Sequence, residues 1–320
     1  MLKYVFMGSP ALAVTILNTV CEQYGPPQAV ITQMAKTGGR GQKLLPTAVA
    51  QYAQEKGFPL REVENVNAPE HVEALRAYAP DVVLVAAFGQ ILRQDILNLP
   101  KIACLNVHAS LLPKYRGAAP FQRAIWNHDT VTGVTIQKMA KKLDAGDILL
   151  QKEIVILPTE TAGELLDRLA ALGAVASVEA LRLLESGKYT FVPQNESEAT
   201  LAPKIDKADA QIDWNLPSQK IYDQIRALQP WPVAETTLDG VALRIFKAEV
   251  TGSGSALAPG TIRTDGKTRL EVGCGDKLPL SLTEIQLANR KRLGVRDFLL
   301  AYRGNFPHTR MGTHVGSDRT

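Results

Sequence analysis

In the stretch Cys104-Leu-Asn-Val-His-Ala-Ser-Leu-Leu-Pro-Lys-Tyr-Arg-Gly-Ala-Ala-Pro120, an amide and an imidazole stand two residues apart, at Asn106 and His108. Ile102, Cys104, Leu105 and Val107 around them form an apolar run suited to a buried strand. Side chains alternate across a strand, so the two polar groups would share one face. Both donate hydrogen bonds, and imidazole exchanges a proton near neutral pH. Together they could hold an oxygen as it becomes negative in acyl transfer. A buried polar pair satisfied by backbone carbonyls is the plainer alternative. Against it, the next loop is punctuated by proline and glycine and carries Lys114 and Arg116, and open α/β sheets bind ligands at such strand ends. The third candidate is Asp144, in Leu143-Asp-Ala-Gly-Asp147. A carboxylate near the imidazole would favour its protonated form, orient it and accept protons through water. Spacing alone leaves open a turn aspartate that bonds its own backbone before Gly146.

The elements that must position these groups read as follows. Tyr4-Val-Phe-Met opens a strand, and Ser9 suits an N-cap ahead of Pro10 and a helix. No G-x-G-x-x-G follows, so a dinucleotide fingerprint is absent. Ala29–Thr32 is a second strand. Gln33–Pro46, with three glycines around Arg40, is too long for a simple turn and reads as a functional loop or as disorder. Helices are expected over Pro46–Lys56 and Glu70–Tyr78, and Asp81–Phe88 is the continuous apolar strand of a central parallel sheet. Ala118–Trp126 suits a helix, Gly133–Met139 and Ile148–Val155 suit strands, and Thr161–Glu185 carries leucines and valines at helical spacing. The alternation argues an α/β fold with a doubly wound, mostly parallel sheet. Composition shifts near Gly187, which places a first domain over 1–188, a linker over 189–209 and a second domain over 210–320. In that second domain short strands meet at the hairpin signals Asp239-Gly240 and Asp265-Gly266, the pattern of a small antiparallel barrel. Helices flank them at Ser218–Leu228 and Val295–Tyr302, and Trp231, between prolines, suits a packing anchor more than a base-stacking platform.

Composition narrows the class. A chain of 320 residues has room for about two domains, and at 45% hydrophobic it contains no apolar run long enough to span a bilayer. The start of the chain goes straight into a strand pattern without a signal peptide's cleavage region. Three scattered cysteines, Cys21, Cys104 and Cys274, indicate neither a disulfide framework nor a zinc cluster and point to the cytoplasm. Cys104 suits a buried structural thiol, and His71, His128, His308 and His314 form no metal-ligand spacing. The net charge of +4 is mild but unevenly spread. Lys36, Arg40 and Lys43 lie between Glu22 and Glu55 with no acid among them. Lys101, Lys114, Arg116 and Arg123 lie likewise between Asp95 and Asp129, and beyond Ile285 seven basic residues face only Asp297 and Asp318. Such stretches fit a solvated face or an extended anionic partner.

The run Asn106-Val-His108-Ala-Ser-Leu-Leu-Pro-Lys-Tyr-Arg116-Gly-Ala-Ala-Pro120, with Leu143-Asp144-Ala-Gly-Asp147, resembles the signature of the folate-dependent formyltransferases. Phe6-Met-Gly-Ser-Pro10, Gly39-Arg40-Gly41-Gln-Lys43-Leu, Ala202-Pro-Lys-Ile and Ile212-Asp-Trp214 are similar, in order, to pieces of the methionyl-tRNA formyltransferase family. The resemblance implies a formyltransferase-like Rossmann variant followed by an OB-like barrel. It implies 10-formyltetrahydrofolate as donor, held near Phe88, Gly89, Ser110, Leu111, Leu112 and Pro113, and no metal. It makes the α-amine of methionyl-initiator tRNA the acceptor, with Asn106 and His108 steadying the oxyanion and Asp144 tuning His108. Arg40, Lys43, Lys114 and Arg116 would meet the tRNA. The second domain's basic surface would follow the tRNA backbone with little reading of bases. The protein is expected as a cytoplasmic monomer with no membrane partner. Two departures stand out: Ser9 where threonine is common, and Gln33-Met-Ala-Lys-Thr where the family usually has Gln-Pro-Asp before a basic residue. A formyl transferase acting on a small amine, such as a ribonucleotide or amino-sugar, would use the same centre but needs neither Arg40 nor a second domain. A folate- or RNA-binding module without turnover would not need the three polar side chains, and a hydrolase releasing formate would need a gate for water.

Overall fold

The computed structural model describes residues 1–38, 43–251, 256–302 and 311–312, with backbone alone for 36–38 and 43. By its contacts the chain forms two compact units, one of Met1–Pro120, Val131–Val155 and Leu166–Ala202, the other of Phe121–Thr130, Ile156–Leu165 and Pro203–Thr320.

The first unit is built from β1 (Tyr4–Gly8), α1 (Ala11–Gln23), β2 (Ala29–Gln33), β3 (Lys36–Gly38), β4 (Lys43–Leu45), α2 (Ala48–Lys56), β5 (Leu60–Val63), α3 (Pro69–Ala77), β6 (Val82–Ala86), α4 (Gln94–Leu97), β7 (Ala103–His108) and β8 (Arg116–Gly117). After α5 (Pro120–Trp126) come β9 (Val131–Lys138), β10 (Ile148–Val155), the long α6 (Ala162–Glu185) and β11 (Leu201–Ala202). Among the described residues seven strands form one sheet in the order β10-β9-β7-β6-β1-β2-β5, parallel except where β9 runs against β7 and β10. All five residues of β1 and all five of β6 are buried, which is what helices on both sheet faces require of central strands. The strand order reverses between β1 and β6, and the carboxyl ends of strands beside such a reversal are where open sheets form a crevice. Gly173 lets α6 lie close on β7, since a Cβ there would come 3.0 Å from Val107 Cγ1. Val107 therefore faces the helix, and Asn106 and His108 face the other way.

Two local expectations are corrected. Ser9 does not cap α1, which begins after Pro10 with no side-chain cap; its hydroxyl donates to Phe88 O at 3.3 Å and accepts from Gln33 N. The loop expected over 33–46 contains an antiparallel hairpin of β3 and β4, with Lys36 opposite Leu45. Arg40 lies outside the described residues, as does the side chain of Lys43.

The second unit carries α7 (Ser218–Ala227), β12 (Ala234–Leu238), β13 (Val241–Val250), β14 (Ile262–Thr264), β15 (Leu270–Gly273), β16 (Pro279–Leu287), β17 (Leu293–Gly294), α8 (Val295–Ala301) and β18 (Met311–Gly312). The antiparallel order is β14-β15-β16-β13-β12-β18, with β17 on β16. Met311 N–H donates to Gly260 O at 2.9 Å, which brings β18 round to the start of β14 and nearly closes the sheet into a barrel. Asp239 and Gly240 turn the β12–β13 hairpin with φ of 50° and 76°, as the sequence signal demands. Trp231 is not the expected packing anchor, being 52% exposed. No helix among the described residues is long and apolar enough to cross a membrane.

A buried ionic cluster ties this unit together. The Asp223 carboxylate, fully buried, accepts from His128 Nδ1 at 2.8 Å, Arg226 Nη2 at 2.7 Å and Gln219 Nε2 at 3.1 Å. Arg226 Nη1 donates to the Glu160 and Leu157 carbonyls. Asp223→Ala strands the Arg226 guanidinium in the interior and is expected to cost about 3–5 kcal/mol. An unshifted urea transition in that variant would show that the cluster is not what holds α7.

Candidate active site

Strand β7 delivers Asn106 and His108 to one face, between Val85 of β6 and Gln137 of β9, which flank Asn106 in register. Among the described residues the Asn106 carboxamide, half-buried, has no hydrogen-bond partner, so its donors are available. His108 is buried, and its Nε2 lies 2.9 Å from Tyr115 O. A carbonyl only accepts, so Nε2 carries the hydrogen, and in the neutral ring Nδ1 carries the lone pair. Nδ1 lies 3.7 Å from Asp144 Oδ1. Burial pushes the imidazole below its ordinary value, while the Asp144 charge and the Tyr115 carbonyl pull it back up. His108 is therefore neutral at physiological pH. With its folded value lowered, it contributes its full stability above about pH 6.5 and loses it as the pH falls.

The turn bearing Asp144 follows β9. Asp144 has a φ of 48°, in the left-handed region that side chains avoid, and a Cβ on Gly146 would come 1.7 Å from Lys138 O. Asp144 Oδ2 accepts from Gly117 N at 2.9 Å, and Oδ1 accepts from Gln137 Nε2 at 2.9 Å. Of these groups the sequence pointed to Asn106, His108 and Asp144 and missed Gln137. A polar residue on an apolar alternating strand was the signal, but only the register places it opposite Asn106.

The expected folate-side residues fall into two groups. Phe88, Ser110 and Leu112 are buried: Phe88 packs in the core, and the Ser110 hydroxyl donates to Lys114 O at 2.7 Å. Thr135 Oγ1 donates to Ser110 O and accepts from Leu112 N, so this loop is stitched down and presents backbone. Gly89 is exposed and Leu111 and Pro113 are half-buried, open to a ligand. Gln33 Nε2 and Ser9 Oγ both hold Phe88 O. Lys114 is exposed, whereas Arg116, expected at the RNA, is 4% exposed and already engaged by Gln194 and Glu196. Burial pushes the Cys104 thiol up to about 12, which fits its expected structural role and not that of a nucleophile. No cluster of groups able to hold a metal ion occurs among the described residues.

A carboxamide donor and a neutral imidazole at the carboxyl end of β7, with a carboxylate from the turn after β9 beside the imidazole, suit an α/β enzyme of the group-transfer class. The pattern of the formyl transferase family matches residues 3–181, and that of the formyl transferase C-terminal domain matches residues 204–303. The chain belongs to the formyl transferase family. It is similar to the methionyl-tRNA formyltransferase of Geobacillus thermodenitrificans, 42% identical over 99% of both chains. It is equally similar to that of Geobacter sulfurreducens, 42% identical over 97% of both. Among solved structures it resembles in fold an N-formyltransferase of Helicobacter canadensis, crystallised with folinic acid and dTDP-3-aminofucose. That likeness has a TM-score of 0.66 at 18% identity and covers 88% of this chain and 99% of the other.

Asp144→Asn removes the one charge that supports protonated His108, so the imidazole is expected to titrate at lower pH than in the wild type. An imidazole NMR titration checks this. An unchanged or higher value would mean that the carboxylate is not felt.

Proposed function

We propose that the protein transfers the formyl group of 10-formyltetrahydrofolate to the α-amine of methionyl-initiator tRNA, in the cytoplasm. The observation that carries this reading is the neutral imidazole set between a carbonyl and a carboxylate, beside a carboxamide with unused donors. Similarity over nearly the whole chain to enzymes of that name supports the choice of acceptor.

The chemistry follows from what each group has left to offer. The amine nitrogen adds to the formyl carbon, and the carbonyl electrons move onto oxygen. Asn106 donates to that oxygen as its charge develops. The sequence reading gave His108 a share of this task; with Nε2–H donating to Tyr115 O, Nδ1 would take the proton that the amine sheds. Asp144 then stabilises the imidazolium. Collapse of the tetrahedral intermediate breaks the bond from carbon to the folate nitrogen, which receives the proton from Nδ1. Donor and acceptor exchange the formyl group with no net change in protons.

The first unit's loops at Gly89 and Leu111–Pro113 would hold the folate by backbone, and Lys114, with Arg40 and Lys43, would meet the acceptor stem. The barrel unit would follow the tRNA backbone. Three free cysteines and the absence of a disulfide among the described residues fit a reducing compartment.

The assay is formyl incorporation by the purified protein from formylated folate, with methionyl-initiator tRNA set against an amino-sugar nucleotide. Formylmethionyl-tRNA is the expected product, and formylation of the sugar amine alone would overturn the reading. Asn106→Ala is expected to lower kcat by about two to three decades with folate affinity kept. Near-normal turnover would remove the oxyanion role.

A further inference from the structure

We infer that Gln194, from the segment that follows α6, is a positioning residue for the reaction, holding the Asp144 turn at its distance from His108. The inference rests on the formyl-transfer reading. In the sequence this segment read as linker, yet its side chains close around the site.

Gln194 Nε2 donates one hydrogen to Asp144 O at 2.9 Å and the other to Gly146 O at 2.7 Å. Its Oε1 accepts from Arg116 Nε at 3.0 Å and Nη2 at 2.9 Å. The amide is saturated, and its orientation is fixed, because the flipped form would set oxygen against two carbonyls and NH2 against a guanidinium. Arg116 spends its other edge on Glu196, at 3.1 Å and 2.8 Å, and Lys142 Nζ joins the same carboxylate at 2.7 Å. Arg116 and Lys142 hold the Glu196 carboxyl down to about 2, so the clamp stays charged throughout the working pH range.

These contacts form a circuit. The residue after Arg116 is Gly117, whose N–H grips Asp144 Oδ2. Asp144 is thus held by its carboxylate from Gly117 and Gln137 and by its backbone carbonyl from Gln194. A residue in a left-handed conformation needs such support, since that backbone state is sparsely populated unless its surroundings over-determine it. The carboxylate of Asp144 lies 3.7 Å from His108 Nδ1, while Arg116 and Lys142 are both paired with Glu196. Without the two amide donors the turn is free to relax, and the carboxylate leaves its place opposite Nδ1.

Two variants separate this role from simple packing. Gln194→Met keeps length and charge but deletes both donors, and Gln194→Glu deletes the donors while keeping an acceptor for Arg116. In both, kcat for formyl transfer is expected to fall on the order of tenfold, with KM for folate and for methionyl-tRNA changed by less than about twofold. In Gln194→Met the His108 imidazole, followed by NMR and assigned by its absence in His108→Ala, is expected to titrate at lower pH than in wild type. Wild-type kcat in Gln194→Glu, or an unmoved His108 titration in Gln194→Met, would overturn the inference. A wild-type protein inactive on methionyl-tRNA would instead sink the proposed function and leave the imidazole titration to decide the role of Gln194.

Discussion

The site depends on keeping an imidazole uncharged beside a carboxylate that it does not yet touch. Burial disfavours protonated His108 and the Asp144 charge favours it, and burial wins. The 3.7 Å between Nδ1 and Oδ1 is longer than a hydrogen bond. When a proton reaches Nδ1, a neutral group facing an anion becomes an ion pair in an environment of low dielectric, where the attraction is strong. The carboxylate therefore stabilises the protonated imidazole far more than the neutral one, and in the proposed reaction that is the state in which stabilisation would count.

That condition explains how much of the chain is spent on one turn. Strand β7 sets His108, the short β8 supplies Gly117, and β9 supplies Gln137. The parallel pairing of β8 with β11 then brings the segment after α6 alongside. Arg116 N bonds Thr200 O at 2.8 Å, and Tyr115, whose carbonyl fixes the imidazole tautomer, bonds Thr200 Oγ1 through its own N–H at 2.8 Å. One two-residue strand pair thus steadies both partners of His108. Donors placed in advance cost no reorganisation when charge develops, and here the placement is distributed over residues from 106 to 202.

The parts of the fold legible in the sequence were those set by local pattern. Val82–Ala86 announced itself as a central strand through unbroken apolarity, and Asn106 and His108 declared a common face through their spacing. Asp239-Gly240 named its own turn. What escaped was set by long-range partners. Ser9 has the chemistry of a cap, but Phe88 O, 79 residues away, takes its hydroxyl instead. Gln194 sits among prolines and charges that read as linker, and nothing local records that two carbonyls 50 and 48 residues earlier need donors. Trp231 between prolines looked like an anchor because flanking sequence says nothing of which way a ring turns.

Charge shows the same limit. The window from Asp95 to Asp129 holds basic residues and no acid, which in sequence looks like a free basic surface. Folding brings acids from elsewhere: Asp81 meets Lys101 at 2.8 Å, Glu196 meets Arg116 at 2.8 Å and Asp209 meets Arg123 at 3.4 Å. Beyond Ile285, Glu284 takes Arg292 through two contacts of 2.6 Å. Of the four cations in the first window, only Lys114 has no acidic partner among the described residues, and it stands on the loop after His108. An anionic partner approaching this face would therefore meet an uncompensated cation on the loop that follows His108. Pairing elsewhere along the window leaves the attraction on that one loop, and this focusing is invisible to any count of basic residues.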